Sequence, residues 1–359
     1  MFEKLTEKLD SFLDMGVPFY DCIVMKDGKC VYRRMNGYTD VKNRIKPTGK
    51  EIYNIYSCSK LITCVAALQL WEKGLYSLED KLSDYMPEFS EMTVIEGDKI
   101  VAAKNPILIK HLFEMTAGFS YNRNSPMFKK CMEDTDGKCP TRETMKYLAK
   151  DPLLFEPGTR WEYSLCTDVL AALVEVLSGK TFGQYVEENV FKPLGMNNST
   201  FIRKGYDMQK IVGQYRYTKE EGLTDIGKGV WDYVGTEYES GGAGAISTVE
   251  DYIKLEEALR VGDVILKKET VDLIATNRLT EKQAETFWSK EFYGYGLGQK
   301  CPKDKNRTEF GWGGMAGAYY AIDRQNGITF FLGTQIFCPE YQEARKKIYS
   351  VIKDEFKNC

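Results

Sequence analysis

The stretch that decides the reading is Glu51–Gly74, EIYNIYSCSKLITCVAALQLWEKG. Its opening, EIYNIY, looks extended. From Ser57 to Lys73 the pattern becomes that of a long helix, and Gly74 supplies the residue that ends it. Positions i and i+3 share a helix face, so in Ser57-Cys58-Ser59-Lys60 the Ser57 Oγ and Lys60 Nζ come within hydrogen-bond reach. The helix N-terminus adds free N–H groups and partial positive charge, which favour a developing anion. An ammonium partly desolvated near that positive end gives up its proton more readily and can serve as a base. Alone, the pattern is weak. A capping serine followed by a surface lysine satisfies it too, and Ser59 is a second candidate cap with no lysine three residues on.

Outward from this helix, the N-terminal run MFEKLTEKLDSFLDMG alternates charge with apolar residues at helical spacing. It lacks a signal peptide's unbroken apolar core and reads as the first helix of the mature protein. PFYDCIVMKDGKCVYRRMNGYTD reads as two strands around a Lys26-Asp27-Gly28 turn. From about residue 80 to 235 the pattern is helical pieces joined by Pro- and Gly-containing loops, with clear helices at Thr141–Leu148 and Asp168–Leu177, the latter closed by Gly179. A helix at Val249–Leu259 then precedes strand-like FYGYGLGQ, AGAYYAIDR and GITFFLGTQ, the last after a Gln325-Asn326-Gly327 hairpin signal. A closing helix is predicted over Glu340–Phe356. Strands at both ends and helices between them imply an α+β fold: an antiparallel sheet flanked by N- and C-terminal helices, plus an inserted, mainly helical domain. The expected division is residues 1–80 with 236–359, and 81–235 inserted.

Composition excludes several function classes. Lys+Arg 49 against Asp+Glu 52 leaves a net charge of −3, without the basic field that nucleic-acid binding needs. The longest apolar stretch, Leu61–Trp71, is broken by Thr63 and Gln69 and is too short to span a membrane. Ten cysteines run singly from Cys22 to Cys359 with no CxxC pair, which reads as reduced thiols in a cytoplasmic protein. The one histidine, His111, sits among apolar residues at helical spacing and reads as an incidental helix residue. A Ser–His–Asp or Cys–His device, or a two-histidine zinc site, would have to use it. GxSxG is absent. Covalent hydrolysis here needs a lysine or tyrosine base with an environment-shifted pKa.

Two further segments can carry chemistry. Tyr163-Ser164-Leu165 lies at a turn before an apolar helix. Tyr163 is a half-buried packing residue or, beside an ammonium that stabilises its anion, a proton relay. Phe310-Gly311-Trp312-Gly313-Gly314-Met315 leads into the strand AGAYYAIDR. Its glycines form a plain turn or admit a substrate carbonyl, which the N–H groups of Met315 and Ser57 would then hold as an oxyanion hole. Neither GYGLG (Gly294–Gly298) nor GGAG (Gly241–Gly244) lies in a βαβ unit, so no dinucleotide site is read there.

Order and spacing carry more than any one motif. SxxK at Ser57, YSx a hundred residues later and a Gly-rich triplet near the C-terminus resemble the serine β-lactamase and penicillin-binding-protein superfamily, with its SxxK, YxN or SDN, and KTG. From Asp21 to Gln335, NGYTD, LIKHLFEMTAGF, FEPGTRWEYS, FKPLGMNNSTF, GGAGAISTVEDY and GWGGMAGAYYAIDRQNG look like class C β-lactamase-type and related esterase sequence. The resemblance implies Ser57 as nucleophile and Lys60 and Tyr163 as proton carriers.

Two departures bear on substrate. Trp312-Gly313-Gly314 stands where the family has KTG, and tryptophan cannot hold a carboxylate as lysine does; Trp-x-Gly here is similar to family VIII carboxylesterases. Leu165 replaces the asparagine of YxN, removing an amide that would contact a substrate amide. Both make the site more apolar, and a carboxylate buried without a partner is costly. The expectation is an esterase with a Ser57 acyl-enzyme, Trp312 lining a pocket, and a small-molecule ester as partner. The alternatives are a β-lactamase or D-amino-acid peptidase or amidase, and an acylatable penicillin-binding module with little turnover. No metal or organic cofactor is implied, no nucleic acid and no membrane, and nothing in the sequence fixes an oligomeric state.

Overall fold

The computed structural model describes residues 2–228, 234–304 and 307–357. In Phe19–Lys26 (β1) successive side chains point to opposite faces. Phe19 and Ile23 join one core, whereas Tyr20, Cys22 and Val24 join the other. Both faces are covered, which is why the strand is apolar nearly throughout. β1 turns into Lys29–Gly37 (β2) through Asp27 (φ 50°) and Gly28 (φ 81°), the left-handed pair that a tight hairpin requires. The C-terminal region supplies Tyr293–Tyr295 (β3), Lys300–Pro302 (β4), Phe310–Gly313 (β5), Tyr319–Asp323 (β6) and Ile328–Gly333 (β7). The sheet order is β2-β1-β7-β6-β5-β4-β3, antiparallel throughout. The two predicted hairpin turns meet, with Asp27 N–H donating to the Gly327 carbonyl at 2.8 Å.

Helices Glu3–Asp14 (α1), Pro339–Arg345 (α5) and Ile348–Lys357 (α6) cover the Tyr20 face. Ser59–Glu72 (α2), Cys166–Ser178 (α3) and Val249–Val261 (α4) belong to the core on the other. Ser59 through Leu68 of α2 is buried on every side, so its sequence shows a continuous apolar run with no polar stripe. This is the expected mixed architecture of a large antiparallel sheet with many helices. Among the described residues no helix is long and apolar enough to cross a membrane.

Four readings change. The helix expected from Ser57 starts at Ser59, and Ser57 lies in the preceding 3₁₀ turn Tyr56–Cys58. The closing helix breaks between Arg345 and Ile348, because α5 packs on the turn after β5 while α6 lies against α1, where Glu355 accepts from the Phe2 and Leu5 N–H groups. The Gly-rich Phe310–Gly313 is itself a strand rather than a turn. The stretch read as helical pieces also holds two hairpins, Thr93–Glu96 with Lys99–Ala102 and Gln214–Thr218 with Gly222–Gly227. Among the described residues nine cysteines are free, eight of them in the core and only Cys30 exposed, and Cys359 lies outside the described residues.

One buried acid makes stability pH-dependent. Glu256 of α4 is fully buried, with neither carboxyl oxygen hydrogen-bonded among the described residues, and burial pushes its pKa well above the usual range. The folded state therefore keeps a proton that the unfolded chain releases above roughly pH 4.3. Stability should fall as pH rises beyond that, by up to about 1.4 kcal/mol per unit. We expect the urea midpoint to fall less steeply from pH 5.5 to 8.5 in Glu256→Gln than in the wild type. Parallel slopes would show that Glu256 is ionised in the folded protein.

Candidate active site

The site is built where α2 begins, under the edge of β5. The chain enters through Tyr56 at φ 47°, a left-handed conformation that costs a non-glycine residue on the order of 1–3 kcal/mol. Tyr56 is held there by its hydroxyl on Gln214 Oε1 at 2.5 Å and by edge contact with Phe337. Ser57 follows at once, buried at 9 % exposure, with its Oγ accepting from Tyr163 OH at 2.6 Å and from Lys60 Nζ at 3.3 Å. Sequence spacing placed Ser57 and Lys60 on one helical face, and the structure brings Tyr163 onto the same oxygen.

Lys60 is fully buried. Its ammonium donates to the Gly242 carbonyl at 2.7 Å and lies over the rings of Tyr163 (4.5 Å) and Tyr121 (5.7 Å). Among the described residues no carboxylate reaches it within ion-pair distance. Burial lowers its pKa, and the partial opposition comes from Tyr121 and Asp168. Tyr163 moves the other way. Burial pushes its phenol up to about 12 against hydrogen bonds with Ser57 and Trp312, so the phenol stays protonated and donates to Ser57. That departs from the reading of a phenolate stabilised by the ammonium: burial favours the neutral form of both groups, and the lysine is the one whose proton is loosened. Near neutral pH this arrangement can take a proton from the serine and supply one to a departing group.

An aromatic wall surrounds the phenol. Tyr121 stacks on Tyr163 at 5.3 Å and 6°, and Trp312 stacks on it at 5.7 Å and 21°. Trp288, 59 % exposed, meets Tyr163 at 5.2 Å and Trp312 at 6.0 Å. With Met315, 49 % exposed, it gives the mouth an apolar character. Arg123 stands behind Tyr121, donating to its hydroxyl at 3.0 Å. Leu165, expected to face substrate, is instead fully buried in the core. Tyr293, Tyr295, Tyr319 and Tyr320 are buried.

The glycines after Phe310 serve the protein's own packing. A Cβ at Gly311 would meet the Tyr320 carbonyl at 2.3 Å, one at Gly313 the Arg345 guanidinium at 2.7 Å, and one at Gly314 the Ile55 carbonyl at 2.4 Å. The last approach sets the Gly314–Met315 backbone against the turn that carries Ser57. Among the described residues neither the Met315 N–H nor the Ser57 N–H has a protein acceptor. His111 takes no part: its Nδ1 accepts from Leu108 N–H at 3.1 Å, and burial lowers its pKa to about 4.

Sequence reasoning missed Tyr121, Trp288, Asp168 and Gly242. Asp168 opens α3 and reads there as a helix-start acid, yet it is buried, with Oδ1 accepting from Tyr238 (2.9 Å) and Ser240 (2.7 Å) and Oδ2 without a described partner. A Cβ at Gly242 would meet that Oδ2 at 2.6 Å and Lys60 Nζ at 3.3 Å.

Fold and site together define a serine-hydrolase-type protein of β-lactamase-like architecture. The chain belongs to the Beta-lactamase family, whose model matches residues 16–350. Acyltransferase mokF of Monascus pilosus is 30% identical over 291 residues, covering 77% of this chain and 70% of its own. EstCE1, described as a hydrolase with promiscuous acyltransferase activity, has a TM-score of 0.78 at 24% identity, with 97% of this chain and 98% of its own covered. The unliganded simvastatin synthase of Aspergillus terreus has a TM-score of 0.81 at 21% identity, with 99% and 100% covered.

The packing at residue 242 is testable. Gly242→Ala drives a methyl between Asp168 and Lys60, and overpacking of this kind costs about 1–3 kcal/mol. We expect a lowered thermal midpoint, and retention of the wild-type midpoint would mean that the backbone yields freely there.

Proposed function

We propose that the chain is a serine hydrolase that cleaves carboxylic esters through an acyl-enzyme on Ser57. One observation carries the reading: Ser57 Oγ stands between the Tyr163 hydroxyl at 2.6 Å and the Nζ of a fully buried, depressed-pKa lysine at 3.3 Å. Lys60 in its neutral form takes the Ser57 proton as Oγ bonds to the ester carbonyl carbon. The oxyanion rests on the N–H groups of Ser57 and Met315. As the tetrahedral intermediate collapses, the ester C–O bond breaks and the leaving alkoxide takes a proton from the Lys60–Tyr163 pair. Water then attacks the acyl carbon and gives its proton to the same pair; the acyl C–Oγ bond breaks, Oγ takes the proton back from the pair, and the carboxylic acid leaves.

Ester preference rests on the lining. Trp312 offers a ring face where the family's lysine would offer a cation, and Trp288 and Met315 extend the apolar mouth. A charged amide would give up its hydration there without a built partner. The relatives favour a second use of the same acyl-enzyme. MokF is named an acyltransferase and EstCE1 is described as having promiscuous acyltransferase activity, so transfer to an alcohol in place of water is the second reading.

The test compares short-chain p-nitrophenyl esters with a chromogenic cephalosporin. We expect fast ester cleavage, little cephalosporin cleavage and a loss of about 10³-fold or more in Ser57→Ala. Added alcohol should divert acyl groups into a new ester if transfer operates. Preferential cephalosporin cleavage would move the substrate class to β-lactams or D-amino-acid amides, and stoichiometric labelling without turnover would leave an acylatable binding module. A Ser57→Ala variant with full ester activity would remove the nucleophile assignment.

The base has its own test. The rate should rise with pH as Lys60 loses its proton. The Asp168 charge raises the pKa of Lys60, so Asp168→Asn should move the rising limb to lower pH. An unmoved or upward-shifted limb would mean that Lys60 is not the group being titrated.

A further inference from the structure

The turn after β5, Gly314–Ala318, is fixed by its carbonyls. Gly314 O and Ala318 O both accept from Arg345 Nη1 at 2.8 Å, Met315 O accepts from Gln342 Nε2, and Gly317 O accepts from Tyr341 OH at 3.0 Å. The remaining one, Ala316 O, accepts from Ile336 N–H at 2.8 Å. Three of these donors, Tyr341, Gln342 and Arg345, come from consecutive turns of one short helix, α5. Arg345 is buried at 7 % exposure, and among the described residues its Nε has no partner and no carboxylate lies within ion-pair distance of it. A guanidinium buried on backbone carbonyls and tyrosine faces alone is a costly arrangement for holding a turn of which only Met315 is exposed.

The peptide joining Gly314 to Met315 explains the arrangement. It is trans, as every described peptide is, so its C=O and N–H point in opposite directions. Arg345 draws the carbonyl towards α5, and the Met315 N–H is thereby turned away, with no acceptor among the described residues. The close approach of Gly314 to the Ile55 carbonyl sets this peptide beside the Ser57 turn. Hydrogen bonding at the carbonyl oxygen also polarises the peptide and strengthens its N–H as a donor.

We propose that Arg345 is a positioning residue that orients and polarises the Gly314–Met315 peptide as an oxyanion donor, with Gln342 and Tyr341 completing the clamp. The proposal rests on the Ser57 acyl-enzyme reading. Arg345 touches neither substrate nor Ser57, so it acts on the transition state and leaves substrate binding alone. In Arg345→Met the carbonyl loses its charged donor, and kcat for a p-nitrophenyl ester should fall about 10–10²-fold, approaching the loss of a whole oxyanion donor. KM should stay within about threefold, and an alkyl boronic acid that mimics the tetrahedral intermediate should bind more weakly by the factor lost in kcat/KM. Arg345→Lys, which keeps the charge and one donor, should recover part of the kcat. Gln342→Ala and Tyr341→Phe should each lose several-fold in kcat in the same manner, and they decide the matter if Arg345→Met does not fold.

Unchanged kcat in the folded variants overturns the proposal. So does a parallel loss in kcat and KM that follows the thermal midpoint while boronate affinity holds, since that is the mark of a merely structural residue. The wild type and Ser57→Ala test the underlying reading separately. An active wild type whose clamp variants keep their kcat removes the clamp and leaves the nucleophile standing.

Discussion

The arrangement depends on one costly placement: a lysine ammonium with no exposed surface, at the start of a helix that is itself buried on every side. An unpaired charge in such a place destabilises the fold unless its donors are met. Here they are met by a backbone carbonyl, a serine hydroxyl and two ring faces, none of which carries a full charge. The solvation is sufficient to keep the lysine inside and weak enough to loosen its proton. Asp168 adds a tempered correction from beyond Gly242, close enough to be felt in the titration of Lys60 and too far for an ion pair. The absence of a side chain at 242 is part of that balance.

The sheet provides the other half. β5 brings Trp312 to the face where Tyr163 stands, and period-two alternation sends Gly313 to the opposite face, against Arg345. One strand thus serves the aromatic wall on one side and the helix-borne donors of α5 on the other. The glycines around Trp312 allow neighbouring backbone and side chains to come within van der Waals contact, which ties the turn after β5 to the strained turn before Ser57.

Much of this was legible in the sequence, for identifiable reasons. The hairpins at Asp27-Gly28 and before Ile328 announce themselves through residues that tolerate positive φ, and α3 ends where Gly179 adopts it. Ser57 and Lys60 lie three apart, so local geometry alone brings them together. Tyr163 joined them through the order of motifs, not through any local rule. What stayed hidden depends on long-range contact. Asp168 resembles any acid at a helix start until Tyr238, Ser240 and Gly242 fold over it. Leu165 stands where a polar substrate contact was expected, and only the packed core shows it turned inward. The break between α5 and α6 has no Pro or Gly to mark it, because its cause is tertiary: Arg345 reaches under one turn while Glu355 caps another helix.

The pairing of β1 with β7 sets Cys22 opposite Leu332 and Asp21 opposite Gly333. The centre of the sheet therefore joins segments from opposite ends of the chain, and loop closure over that span is the slowest kind of contact to form. On a ribosome the β1–β2 hairpin emerges roughly 15–60 seconds before its partner at ordinary elongation rates. A lone two-stranded hairpin is marginal in water. For that interval an apolar strand with an unpaired edge is displayed, the kind of segment that pairs with other chains when nothing shelters it.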